Sequence, residues 1–225
     1  MSHACDSPLD LVYRDASIIV VNKPVGLLSV PGRGADKQDC LTARIRKEFT
    51  DALSVHRLDM ATSGLMVFAR GAGMQRRLSQ MFREREVEKR YVAVVMGKVE
   101  PSTGVVDLPV VADWPNRPRR KIDIGSGKPS LTRFRVLGYE TTARRSIHQG
   151  ERNLVTTRVE LEPVTGRTHQ LRVHMAAIGH PVLGDTLYGG DAGSNAERLL
   201  LHAGVLGFAH PLSEVPLAWV SEPQF

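Results

Sequence analysis

Cysteine is almost absent from this chain. Its 225 residues hold two, Cys5 and Cys40, which excludes a disulfide framework and suits a reducing compartment. No CxxC pair occurs, so a structural zinc site built on thiolates is not expected, and there is no HExxH for a helical two-histidine site. Aromatic residues make up only 5 % of the chain, which argues against a large array of base-stacking platforms. No apolar run reaches membrane-spanning length, and Met1–Asp6 lacks the basic segment and apolar run of a signal peptide. The expected protein is soluble and cytoplasmic. Also missing are a Walker loop, a GxGxxG before a helix, and the GxSxG of a serine nucleophile.

What is present is globular. Hydrophobic residues form 42 % of the chain and charged residues 24 %, enough to bury a core at this length. No repeat or composition break demands a second domain, so residues 1–225 are read as one. Lys and Arg number 30 against 24 Asp and Glu, a net charge of +6. That excess favours a polyanionic partner.

Strand-like runs with β-branched content and Gly or Pro boundaries occur at Ser17–Asn22, Leu65–Ala69, Tyr91–Met96, Val105–Val111, Ser130–Tyr139 and Leu154–Glu162. Helical patterns cover Leu41–Phe49, Gly73–Val87 and Thr168–Ile178. The second places Met74, Leu78, Met81 and Phe82 on one face. The third places Leu171, Met175 and Ile178 together and stops at Gly179, a C-cap glycine. The polar stretch Thr141–Asn153 reads as an exposed loop. The sum is an α+β fold with a mixed, mostly antiparallel central sheet and flanking helices and loops.

Three segments concentrate chemistry. His56, Arg57 and Asp59 share a loop between a helix and a strand, where catalytic groups gather; the plainer reading is a turn capped by Asp59 and completed by Thr62, Ser63 and Gly64. Arg167, His169, Gln170 and Arg172 crowd a helix start whose free N–H groups attract anions, with a solvated basic end and a core His174 as the plainer reading. Trp114–Arg135 is the densest basic stretch. It holds Arg117, Arg119, Arg120, Lys121, Lys128, Arg133 and Arg135 against Asp123 alone, which suits a phosphate-tracking surface. Tyr91 follows Lys89 and Arg90 into a strand, and Lys23 ends another.

Taken together these segments resemble the RluA-type pseudouridine synthases. The resemblance rests on NKPVG at Asn22–Gly26, HRLDMATSG at His56–Gly64, KRYVAVVMG at Lys89–Gly97, GRTHQLRVH at Gly166–His174, GHPVLGD at Gly179–Asp185 and LLLHA at Leu199–Ala203. Their order matches the family and they span nearly the whole chain. LLSVPGR at Leu27–Arg33 and DWPNRPR at Asp113–Arg119 look like the short, dual-specificity members. The resemblance implies the pseudouridine synthase fold without an N-terminal S4 domain. It also implies an enzyme that isomerises a uridine in large-subunit ribosomal RNA and in the anticodon stem-loop of tRNA, with no cofactor and no metal, acting as a monomer.

The resemblance assigns roles residue by residue. Asp59 matches the catalytic aspartate. A carboxylate acting as nucleophile or base must be ionised, and a neighbouring cation favours that form. Arg172 matches the family's arginine, so an Asp59–Arg172 ion pair is expected. Tyr91 matches the tyrosine that packs on the target base. Arg57 matches the residue that fills the space a flipped uridine vacates, and Leu171 lines the pocket. Lys23, His56, Arg83, Arg117, Arg119 and Arg167 complete the expected RNA contacts. The competing readings are a synthase acting on only one of these RNAs, a catalytically dead RNA-binding or assembly factor of the same fold, and a nuclease or phosphotransferase built on His56 and Asp59 that would need a metal or a second paired histidine.

Overall fold

The alternation of β-branched residues and turn formers organises the described residues into mostly antiparallel strands with three α-helices between them. The structure is a computed structural model that describes residues 9–146, 150–190 and 196–225; the expected leaderless start at Met1–Asp6 lies outside these. Two compact units emerge. One runs through Glu88 and takes in Val205–Ser221; the other comprises Lys89–Gly204 and Glu222–Phe225.

In the first unit, β1 (Leu11–Arg14), β2 (Ile18–Lys23) and β4 (Ser63–Arg70) pair in that order, with β3 (Ala52–Ser54) also on β4. All pairings are antiparallel. Between β2 and β3 lies α1 (Leu41–Glu48), capped by the Cys40 thiol, which accepts the Ala43 N–H. After β4 comes α2 (Gly71–Glu84), which buries Met74 and Leu78 and half-buries Met81 and Phe82, the face expected from spacing. It starts two residues earlier than expected, at Gly71, and ends three residues earlier, at Glu84, because Arg85 adopts a left-handed φ of 65° and stops the helix short of Val87. The core of this unit combines Ile18, Val20, Leu65, Val67, Met74 and Leu78 with Leu206 and Phe208 from far along the chain.

In the second unit, β5 (Glu88–Met96), β10 (Gly150–Pro163), β9 (Leu131–Ser146) and β6 (Thr103–Asp107) pair antiparallel in that order. A separate ribbon joins β7 (Val110–Ala112) to β8 (Arg120–Ile122). The run expected as one strand over Val105–Val111 is broken at Leu108–Pro109, where proline has no N–H to give a ladder. The third helix, α3 (Gln170–Ala177), begins two residues later than expected because His169 takes a left-handed φ of 57°. Gly179 follows its end at φ 87°, as a C-cap glycine should. Five of the described strands escaped the sequence reading: β1, β3, β8, β11 (Leu201–Ala209) and β12 (Pro216–Val220), the last two pairing from Val205↔Val220 to Ala209↔Pro216.

One expectation is corrected outright. Thr141–Asn153 is not a loop: Thr141–Ser146 continues β9 and Gly150–Asn153 opens β10, in register from Thr141↔Val155 to Ser146↔Gly150. The ladder satisfies the backbone groups of this polar stretch, so a run without apolar alternation can still pair. Residues 147–149 lie outside the described residues.

Candidate functional site

The Asp59 loop is fastened to the first unit by its alternate residues. The His56 carbonyl accepts the Ser54 hydroxyl at 2.8 Å, and His56 Nε2 accepts the Val67 N–H at 3.0 Å. That acceptor role leaves the neutral ring's proton on Nδ1. The imidazole also stacks on Phe82, centroid to centroid 4.6 Å. Two residues on, buried Leu58 is held at both backbone groups by one side chain. Ser29 Oγ donates to the Leu58 carbonyl at 2.7 Å and accepts its N–H at 3.1 Å. The Met60 carbonyl then accepts the Gly26 N–H at 2.8 Å and the Lys23 ammonium at 3.2 Å. These bonds fix the loop on both sides of Arg57 and Asp59. Arg57 is exposed and Asp59 half-buried. A turn closed by the Thr62 N–H on the Asp59 carbonyl, 3.0 Å, leads into β4.

Lys23 is a correction. Expected as a phosphate contact, it is fully buried, at 0 % exposure. Its three ammonium protons face the carbonyls of Pro24 and Leu27, each at 2.8 Å, and of Met60. A buried ammonium is tolerable only when its donors are used. Here they clamp the Asn22–Gly26 turn to the Asp59 loop, so the side chain supports that loop from beneath.

In the second unit, α3 is buried almost all round from Gln170 to Met175, and each polar residue there has its own partner. Gln170 uses both ends: its Oε1 accepts the Thr165 hydroxyl at 2.7 Å and the Arg167 N–H at 3.0 Å, and its Nε2 donates to the Leu131 carbonyl and to Thr132 Oγ1, both at 3.0 Å. Thr132 is hydrogen-bonded to His174 Nδ1 at 2.9 Å, and His174 Nε2 reaches the Leu108 carbonyl at 2.8 Å. Burial pushes the His174 pKa down; the Leu108 hydrogen bond and Asp107 oppose that without reversing it.

Arg172, at 4 % exposure, lies against Asp185, at 1 %. Nε and Nη2 each reach a different carboxylate oxygen at 2.7 Å, the bidentate fork. Burial alone would raise the Asp185 pKa; the Arg172 hydrogen bonds and charge, with the N–H groups of Leu187 and Tyr188, outweigh it and hold the carboxyl low. Tyr188 is placed by that same carboxylate at 3.0 Å, and its ring lies 5.1 Å from the Arg172 guanidinium carbon. Its hydroxyl accepts the Arg120 N–H and is hydrogen-bonded to His169 Nδ1, both at 2.7 Å. Gly184, at φ 73°, is required here: a Cβ would collide with the Arg198 carbonyl.

The remaining expected residues divide between the units. Arg83 is exposed on α2. Tyr91, half-buried, sits on β5 opposite Leu161, and Leu171 is buried on α3. Arg167 is exposed, with Nε 3.3 Å from the Pro129 carbonyl. The basic stretch is less free than its composition suggests. Arg133 pairs with Glu162 and Arg135 with Glu160, both at 3.0 Å, and Lys121 lies 3.6 Å from Asp123. Arg117 and Arg119 remain exposed at the tip of the β7–β8 ribbon. Among the described residues, no group of three His, Cys, Asp or Glu side chains could hold a metal ion, and no helix is long and apolar enough to cross a membrane.

Comparison with known proteins gives these features a family. The model for RNA pseudouridylate synthase matches residues 17–177, a span that contains both the Asp59 loop and α3. The chain belongs to the RNA pseudouridylate synthase family. It is an isomerase that acts on RNA. It is 49 % identical over 204 residues to the dual-specificity RNA pseudouridine synthase RluA of Escherichia coli strain K12, covering 90 % of this chain and 88 % of that protein. The RluA of Yersinia pestis is 44 % identical over 216 residues, covering 96 % and 99 %. Among solved structures, human RNA pseudouridylate synthase domain containing 1 superposes with a TM-score of 0.77 at 29 % identity, covering all of this chain and 87 % of that one. Human RNA pseudouridylate synthase domain containing 4 gives 0.69 at 28 %, covering 95 % and 88 %. The fold is thus the synthase fold expected from the motifs.

Sequence reasoning missed Ser29, Asp185 and Tyr188 as working residues. Ser29 and Asp185 lie inside LLSVPGR and GHPVLGD, so the motifs contained them without exposing their role. Tyr188 stands three residues past the second motif and carried no signal of its own.

Proposed function

We propose that Asp59 is the catalytic carboxylate of this synthase, with Tyr91 and Arg172 assisting it, within one catalytic domain comprising both units. The observation that carries the assignment is the fastening of the loop. Hydrogen bonds at His56, Leu58 and the Met60 carbonyl hold the backbone that carries Asp59 and Arg57 without ordering cost at the moment of reaction. A uridine reaching this carboxylate must leave its helix or loop stack, and the exposed Arg57 is suited to fill the gap with a planar guanidinium. The N1–C1′ bond of the uridine breaks, the uracil turns, and a C5–C1′ bond forms. The proton on carbon five is released and one returns to nitrogen, so no atom is gained or lost and no oxidant or energy source is consumed. The Arg172–Asp59 pair expected from the resemblance is part of this proposal.

The identity to dual-specificity relatives supports a substrate set of large-subunit ribosomal RNA and the tRNA anticodon stem-loop. Arg83, Arg117, Arg119 and Arg167 are exposed cations suited to its phosphates. We place the enzyme in the cytoplasm, as a monomer working without metal. The test uses transcripts of both RNAs tritiated at uracil carbon five, with EDTA present. Wild type should release tritium from both, and Asp59→Ala should release it at least about a thousandfold more slowly. Release from one transcript alone restricts the specificity. Tight binding with no release from either overturns the catalytic reading.

A further inference from the structure

Trp114 is 66 % exposed, in a chain with few aromatics. It is not loose. The tip of the β7–β8 ribbon is a closed turn in which the Asp113 N–H donates to the Arg119 carbonyl at 3.1 Å, the Asn116 N–H to the Asp113 carbonyl at 3.2 Å, and the Arg119 N–H to the Asn116 carbonyl at 3.0 Å. Asn116 Nδ2 adds a bond to Asp113 Oδ2 at 3.0 Å. Where the turn ends, the Arg120 N–H is anchored on the Tyr188 hydroxyl. The turn lays the Arg117 guanidinium carbon 3.5 Å from the Trp114 ring centroid. That distance is a stack, and it covers one face of the indole. The exposure that remains belongs to the opposite face and the edges.

We propose that this open indole face is a stacking platform for an unpaired nucleobase of the RNA substrate, away from the uridine that is isomerised. The proposal rests on the RNA-modifying reading and adds a contact to it. The charges around the ring select the occupant. Arg117 behind it and exposed Arg119 beside it disfavour a cationic or purely apolar protein surface and favour a flat π system joined to phosphates. A paired base offers no free face, so the platform reads loop nucleotides by their being unpaired, whatever their identity. Arg117, proposed above as a phosphate contact, also backs the stack.

The chain has two tryptophans, so Trp219→Phe leaves Trp114 as the sole indole reporter. Titration with a stem-loop RNA bearing an unpaired loop should quench its fluorescence, and a blunt duplex of equal length should not. In the otherwise native chain, Trp114→Ala should raise the Kd for the stem-loop about tenfold or more, with unchanged thermal stability, and Trp114→Phe should recover most of the loss. Equal quenching by the duplex, or a Trp114→Ala Kd equal to wild type, overturns the platform while leaving the synthase reading intact. Failure of the wild type to bind the stem-loop at all overturns the RNA reading together with it.

Discussion

Lys23 and Arg172 are both cations withdrawn from water. Lys23 donates to three carbonyls, and Arg172 meets a carboxylate in Asp185. His174 shows a third solution, which is to stay neutral. Because its pKa is lowered in the folded chain, the unfolded chain takes up a proton below about pH 6.5 that the folded chain refuses. Its contribution is therefore complete above that value and is lost as pH falls towards the lowered one, at up to about 1.4 kcal/mol per pH unit. His174→Gln should flatten the fall in melting temperature between pH 7 and pH 5 relative to wild type; parallel curves would show that His174 is not the group responsible. Family motifs single out Asp59 and Arg172 in the sequence, and the roles proposed for them rest on that resemblance. The sequence could not reveal the burial of Lys23, since an isolated lysine reads as solvated and only tertiary contact puts carbonyls around it.

At the scale of elements, the Asp59 loop is held by residues that perform no chemistry. Ser29→Ala should leave the buried N–H and carbonyl of Leu58 unpaired, lowering stability by about 1–3 kcal/mol. It should also slow single-turnover isomerisation about tenfold more than it weakens RNA binding, because position rather than affinity is lost. Equal losses in rate and binding would refute that. Strands with dense apolar runs, such as β2, β4 and β5, were legible with small shifts at their ends. The misses have separate causes. In β11, Gly204 and Gly207 dilute the β signal, and LLLHA drew attention as a motif rather than a strand. β8 has only three residues. The outer half of the β9–β10 hairpin is polar throughout, and its pairing is set by register with the partner strand, which no local pattern records.

At the scale of the whole molecule, no composition break marks the two units, because the chain passes from one to the other inside β5, inside β11 and directly after β12 rather than through a long linker. The first unit is discontinuous, and its interior needs Leu206, Phe208, Leu217 and Trp219 against Ile18, Val20, Leu65 and Val67. A chain cut before Val205 should aggregate, measured by size-exclusion chromatography and dye binding to exposed apolar surface, whereas one cut after Ser221 should remain dispersed. A well-dispersed, cooperatively melting short chain would contradict this account of the core. The same discontinuity bears on synthesis. A polypeptide leaves the ribosome amino end first at about 5–20 residues per second, so the opening strands wait on the order of ten seconds for the closing ones. During that interval an apolar sheet face stands uncovered in the nascent chain, the kind of surface that chaperones shield.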